Sequence, residues 1–195
     1  MATPRRKLDQ YFTPASATQK LLKHVFIGGN VLECCNGDGA ISRVLRQSRN
    51  IDRVYTNDID PALEADWHTD ATDSTQWKGD ADWVVSNPPF NQAAQIVPLA
   101  YDHVGFGIAM LLRLSYLEPC QDRALWLRKH PPTTLLVLPR ISFTGNGKTD
   151  NVTCAWMVWM KSQLEPQKII VAENPRFAHD GAPGRSHEAW LECSN

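Results

Sequence analysis

Val31-Leu32-Glu33-Cys34-Cys35-Asn36-Gly37-Asp38-Gly39 decides how this chain is read. Two apolar residues reach an acidic side chain and two cysteines follow, then a glycine-rich turn, then a helical run from Ala40 to about Gln47. A buried strand that breaks on small residues and restarts as a helix is the opening half of a βαβ unit. Glycines at 37 and 39 let the backbone turn sharply and approach a ligand without a Cβ clash. An ordinary glycine-rich turn has the same appearance, so the neighbouring segments must carry the argument.

They repeat the same rhythm. Upstream, Thr13-Pro14 predicts a helix over 14–26, with threonine as cap and proline in the first turn, ended by Gly28-Gly29-Asn30. Downstream, 52–57 predicts a second strand ending at Asp58-Ile59-Asp60-Pro61, followed by a short helix around 61–66 and a weak third strand near Trp67-His68. Residues 82–86 (DWVVS) predict a fourth strand that ends on Asn87-Pro88-Pro89-Phe90. A helix over 91–103 contains Pro98, which should kink or shorten it. Residues 107–114 (GIAMLLRL) are apolar enough for a central strand buried on both faces. A helix over 118–130 stops before Pro131-Pro132, and strands at 134–138 and 153–160 follow. Those two are joined without a clear helix, which suits an antiparallel edge pair. The expected fold is therefore α/β, a mostly parallel seven-stranded sheet with an antiparallel edge strand and helices on both faces.

Composition bounds the rest. A chain of 195 residues with 43% hydrophobic content fills one core, and it is expected to form a single domain. Within it, 1–30 is an N-terminal helical segment, 31–172 the core and 173–195 a loop-like tail rich in Pro, Gly and His. A formal net charge of −1 gives no strongly basic surface, so any nucleic-acid partner has to meet a local patch. The five cysteines show no CxxC spacing and the six histidines are scattered, so no metal site is expected and free thiols in a reducing cytoplasm fit. No run of about 18 apolar residues exists, so no membrane partner is expected.

Ligands of open α/β sheets bind beyond the carboxyl ends of the strands. Here those ends carry polar residues in series. Asp58, 25 residues after Glu33, is placed to accept two ribose hydroxyls, with Ile59 packing on an adenine face. Asp70 could accept from an adenine amine, although Asp66 and Asp73 lie close enough to compete for that role. Asn87-Pro88-Pro89-Phe90 is the most specific feature, expected by chance in roughly one chain in a few hundred of this length. The exocyclic amine of adenine is a weak nucleophile because its lone pair is delocalised into the ring. The Asn87 side-chain oxygen and the Pro88 carbonyl can together hold both N–H groups and localise that lone pair. Two prolines fix φ and so pre-aim the carbonyl, while Phe90 offers a flat face to an extruded base.

With these motifs in order, the chain resembles the class I S-adenosylmethionine-dependent methyltransferases, and most of all the N6-adenine DNA methyltransferases of gamma motif order. Tyr11-Phe12-Thr13-Pro14 looks like that family's N-terminal cofactor motif, and the resemblance spans roughly residues 8–160. It implies S-adenosyl-L-methionine as cofactor, without a metal. Tyr11, Thr13 and Pro14 would lie by the methionine moiety, and Glu33, Asn36 and Gly37 would line its amino-acid and ribose region. Asp58 would take the ribose hydroxyls, Ile59 and Asp70 the adenine, and Asn87, Pro88, Pro89 and Phe90 the target base. The cysteines at 34 and 35 depart from the small residues or proline common there. Restriction-type relatives usually carry a separate target-recognition domain, for which 195 residues leave no room, so a small phage- or prophage-type solitary enzyme is expected. DNA contacts would then come from Arg113, from the loop between Arg140 and Lys148, and from Arg5-Arg6-Lys7. Adenine in RNA, a glutamine amide in a protein and a catalytically silent cofactor-binding subunit are the competing assignments.

Overall fold

A computed structural model of the chain describes residues 13–120, 123–140, 152–162 and 167–172. The helices among them are α1 (Ala15–His24), α2 (Ala40–Leu45), α3 (Ala93–His103) and α4 (Ala124–Lys129). The strands are β1 (Gly29–Glu33), β2 (Ile51–Thr56), β3 (Trp83–Ser86), β4 (Gly107–Arg113), β5 (Thr134–Val137), β6 (Cys154–Met160) and β7 (Lys168–Val171). They form one seven-stranded sheet in the order β2-β1-β3-β4-β6-β5-β7.

β2, β1, β3 and β4 pair parallel, as do β5 and β7. β6 runs antiparallel to both β4 and β5, so the reversed strand enters on the β7 side of the sheet between two parallel ones. The two C-terminal strands expected to pair with each other do so, with Thr134 opposite Val158 and Val137 opposite Ala155.

Alternation along the central strands fills both faces. Val31, Val85, Ala109 and Leu111 pack on one side with Ala17 and Leu21 of α1 and Ile41 and Leu45 of α2. Leu32, Val84, Ile108, Met110 and Leu112 pack on the other with Ile96, Val97 and Ala100 of α3. Near-continuous apolar strands follow from a sheet covered on both faces, where neither side chain direction meets water. At Gly107, an added Cβ would sit 2.6 Å from the Trp159 carbonyl oxygen, so the β4–β6 approach requires glycine.

Several local expectations change. The third strand at 67–68 reduces to a single parallel bridge, Asn57 to Trp67, and the seventh strand is Lys168–Val171. Residues 61–66 form turns rather than a helix, because Asp58 and Asp60 accept from the backbone N–H groups of Asp60 and Ala62 and favour tight turns over helix propagation. Pro98 lies inside a continuous α3. The helix expected over 118–130 is confined to α4, and Leu114–Leu117 forms a 3₁₀ turn. Among the described residues, no helix is long and apolar enough to cross a membrane.

Candidate active site

The strand order reverses between β1 and β3. From that point the chain moves to β2 on one side and to β4 on the other, which opens a crevice above the carboxyl ends of β1 and β3. Glu33 ends β1 and Ser86 ends β3, so the glycine loop and the Asn-Pro-Pro-Phe turn meet across that crevice.

Glu33 is the electrostatic centre. It is wholly buried, and its Oε1 accepts from the Ser86 hydroxyl (2.5 Å) and from the Cys35 backbone N–H (3.1 Å). Its Oε2 is buried with no hydrogen-bond partner. Burial, reinforced by the neighbouring Cys34 thiol, pushes the Glu33 carboxyl well above the usual carboxylate range, against the lowering effect of those two donors. A buried acceptor left unmatched is costly unless a ligand supplies the donor.

The glycine loop is held from below. Gly37 adopts φ +57°, and its N–H donates to Asp58 Oδ2 (2.7 Å). Nothing lies within 4 Å of the position where a Gly37 Cβ would stand, so the space beside the loop is open. Asp58 is buried and also accepts from the Asp60 N–H through Oδ1 (2.9 Å), which leaves each oxygen a further lone pair for a hydroxyl donor. Ile59, next to it, is 55% exposed, an apolar side chain presented to solvent. Asn36 turns elsewhere: its amide accepts from Ser42 (2.8 Å) and donates to the Glu64 carbonyl (2.7 Å), which anchors the 61–65 turn to α2.

The three competing aspartates separate by their partners. Asp66 Oδ2 accepts from the N–H and hydroxyl of Thr56, clamping the end of β2. Asp73 accepts from Thr75 and Gln76 at the start of a 3₁₀ turn, and the Thr75 hydroxyl leads in holding its carboxyl below the ordinary value. Asp70 spends Oδ1 on Thr72, and no partner for its Oδ2 is found among the described residues. Asp66 and Asp70 thus each keep one carboxylate oxygen without a partner among the described residues, whereas Asp73 uses both.

Two connections escaped the sequence reading. Asn57 donates to the carbonyls of Cys34 and Thr69 and accepts from the Thr69 N–H and hydroxyl, so one buried amide fixes the β1 loop and the Asp70 segment together. Thr13 does not cap α1, whose N-cap residue is Pro14. Its hydroxyl instead accepts from Asn87 Nδ2 (3.0 Å), 74 residues away. In the sequence Thr13 before Pro14 reads as an ordinary N-cap, so nothing local marks the Asn87 contact.

Pro88 is buried behind Asn87, and the Pro89 carbonyl accepts from the Gln92 N–H, which leads the turn into α3. Phe90 packs against both core clusters, and the Arg113 guanidinium lies 4.5 Å above its ring centroid. Arg140 is exposed just beyond β5, on the same rim of the sheet. Tyr11, Lys148 and Arg5-Arg6-Lys7 lie outside the described residues.

No family model matches the sequence, and no curated protein matches it either. Solved structures do match. One assigned as a class I S-adenosylmethionine-dependent methyltransferase from Listeria monocytogenes superposes with TM-score 0.56 at 12% identity, over 81% of this chain and 62% of the other. The fold is that of the class I methyltransferases. An RNA methyltransferase assignment from Pyrococcus horikoshii gives TM-score 0.61 at 18% identity, over 78% of this chain and 87% of the other. A modification subunit assigned to a type I restriction enzyme of Vibrio vulnificus gives TM-score 0.61 at 13% identity, over 86% of this chain and 48% of the other. The chain therefore spans less than two thirds of the Listeria protein and about half of the Vibrio subunit. At these identities the likeness concerns the fold.

Proposed function

We propose that this chain transfers the methyl group of S-adenosyl-L-methionine to the N6 amine of adenine in DNA. The observation that carries the reading is the position of Asn87-Pro88-Pro89-Phe90, directly after the β3 end whose Ser86 donates to Glu33, with Asn87 hydrogen-bonded to Thr13.

The residues present fit the cofactor. The unmatched Glu33 Oε2 is an acceptor suited to the cofactor's ammonium group, and the Asp58 carboxylate retains lone pairs for ribose hydroxyls. The open space beside Gly37 and the exposed Ile59 suit the ribose and an adenine face, with Asp70 Oδ2 as acceptor for the adenine amine. When bound, the cofactor supplies an electrophilic methyl on a sulfonium.

The protein's part is to present the amine. Thr13 engages Asn87 Nδ2 and so orients the amide, which makes Oδ1 the acceptor for one amine N–H. The Pro88 carbonyl, held by a rigid backbone, accepts the other. Localising the nitrogen lone pair raises its nucleophilicity, and the methylated nitrogen then loses a proton to solvent, so no side chain must act as a strong base. Phe90 provides the stacking surface on which an extruded base is held.

Structured RNA is the second reading, favoured by the match over 87% of an RNA methyltransferase assignment. Incubation with methyl-tritiated cofactor and separate pools of duplex DNA, structured RNA and protein extract tests both. The expected product is N6-methyladenine in the digested DNA pool. Label confined to RNA or to protein overturns the DNA assignment, and absence of transfer to every pool overturns the activity. Asn87→Ala is expected to lower kcat by about 10²–10³-fold, the range for loss of one pre-organised polar contact to a reacting group, while cofactor still binds.

A further inference from the structure

Among the described arginines, only Arg113 and Arg123 are half-buried; the others are exposed and solvated. Arg123 spends its guanidinium on the carbonyls of Ser115 and Tyr116. Arg113 has no such partner. Its Nε is buried without an acceptor, and no carboxylate lies within ion-pair distance of it among the described residues. Its one contact of note is the stack on Phe90.

That arrangement is incomplete. A guanidinium partly removed from water needs either solvent or an anion, and its five N–H donors lie in the plane, away from the stacked face. Stacking on Phe90 therefore fixes the cation without consuming a donor. The position is also specific. Arg113 is the last residue of β4, next to β3, so the cation stands at the carboxyl rim beside the turn that would hold the target amine. A glutamine amide brings no obligatory anion to that place. An adenine within a nucleic acid brings a phosphodiester on each side of its sugar.

We propose that Arg113 is the substrate-anion residue of this site, binding a phosphodiester that flanks the methylated adenine. The inference rests on the proposed methylation of adenine in DNA and adds to it the residue that binds the backbone phosphate beside the target. Phe90 and Arg113 then act as one unit, in which the ring that receives the base also aims the fork at its phosphate.

The test uses the full chain with adenine-containing oligodeoxynucleotides, either unmodified or with neutral methylphosphonates flanking the target. Variants are Arg113→Gln and Arg113→Lys, with cofactor dissociation constants and melting curves confirming that each is folded. Losing a charge-assisted contact is expected to raise KM for the unmodified strand about 10–100-fold in Arg113→Gln, more than kcat falls. The lysine variant keeps charge but not the planar fork, and its KM is expected to lie between the two. Methylphosphonate is expected to cost the wild type a similar factor and to add little to Arg113→Gln. Equal methylphosphonate sensitivity in wild type and Arg113→Gln overturns the inference while leaving adenine methylation intact. So does a fall in kcat at unchanged KM, which would reduce Arg113 to a support for Phe90. An otherwise identical oligoribonucleotide that alone shows the effect moves the phosphodiester from DNA to RNA. Wild type that methylates only protein amides overturns both this inference and the nucleic-acid reading.

Discussion

At the scale of single residues, Glu33 and Gly37 hold opposite kinds of strain, and each predicts a separation of stability from binding. A carboxyl whose folded pKa is raised is held more tightly protonated in the native state than in the unfolded chain. Its contribution is fully present below the unfolded value of about 4.3 and is lost as pH rises toward the folded value. Glu33→Gln removes the charge but keeps an oxygen for Ser86. It should raise the melting temperature of the cofactor-free protein and flatten its decline between pH 5 and 8, while weakening cofactor binding. Thermal denaturation across that range, with and without cofactor, reads both effects; a variant less stable than wild type at pH 8 would contradict the desolvation argument. Gly37 has positive φ but open space around it. Gly37→Ala should therefore cost only about 1 kcal/mol in denaturant unfolding, the expense of a left-handed alanine. A much larger loss of cofactor affinity, measured by calorimetry, would mark the space as occupied by ligand. Residue types at these two positions were legible in the sequence. The unmatched Oε2 was not, because it depends on which neighbours reach Glu33.

Elements show how a short helix is set against a distant strand. α1 has no side-chain cap, and its attachment comes partly from Trp156 on β6, whose indole N–H donates to the Ala17 carbonyl (2.9 Å). Trp156→Phe keeps an aromatic ring but removes that donor. It should destabilise the protein by about 1–3 kcal/mol, the loss of a buried hydrogen bond together with the cavity left by the smaller ring, as read from urea unfolding. If α1 also positions Thr13, the same variant should lower kcat through the Thr13–Asn87 contact without changing cofactor-free helix content by circular dichroism. Gly107→Ala is the harsher element-level change. Its Cβ would meet the Trp159 carbonyl, so a loss of about 1–3 kcal/mol from forced separation of β4 and β6 is expected in the same assay. Helices and strands with strong periodicity were predicted close to their observed bounds. The helix at 61–66 and the strand at 67–68 were not, because turn-forming aspartates and a single bridge there replace repeating backbone pairs.

For the molecule as a whole, the proposed site is a crevice shared by loops from β1, β2 and β3, so cofactor binding should link them into one cooperative unit. Saturating S-adenosylmethionine at about 100 times its dissociation constant would then add about 2.7 kcal/mol to stability, seen as a single transition shifted upward in calorimetry. Unchanged melting at millimolar cofactor would count against the site. The linear sequence determined the α/β class, the order of the strand ends and the chemistry carried at each, because hydrophobic period, glycine turns and the Asn-Pro-Pro-Phe turn are local properties of consecutive residues. Tertiary structure decided where the order reverses, how β6 enters between β4 and β5, and which partner each polar group finds. The contacts between Ser86 and Glu33, Thr13 and Asn87, and Arg113 and Phe90 span 53, 74 and 23 residues of sequence. No local pattern encodes them, since they exist only once packing of both sheet faces has fixed the strands in register.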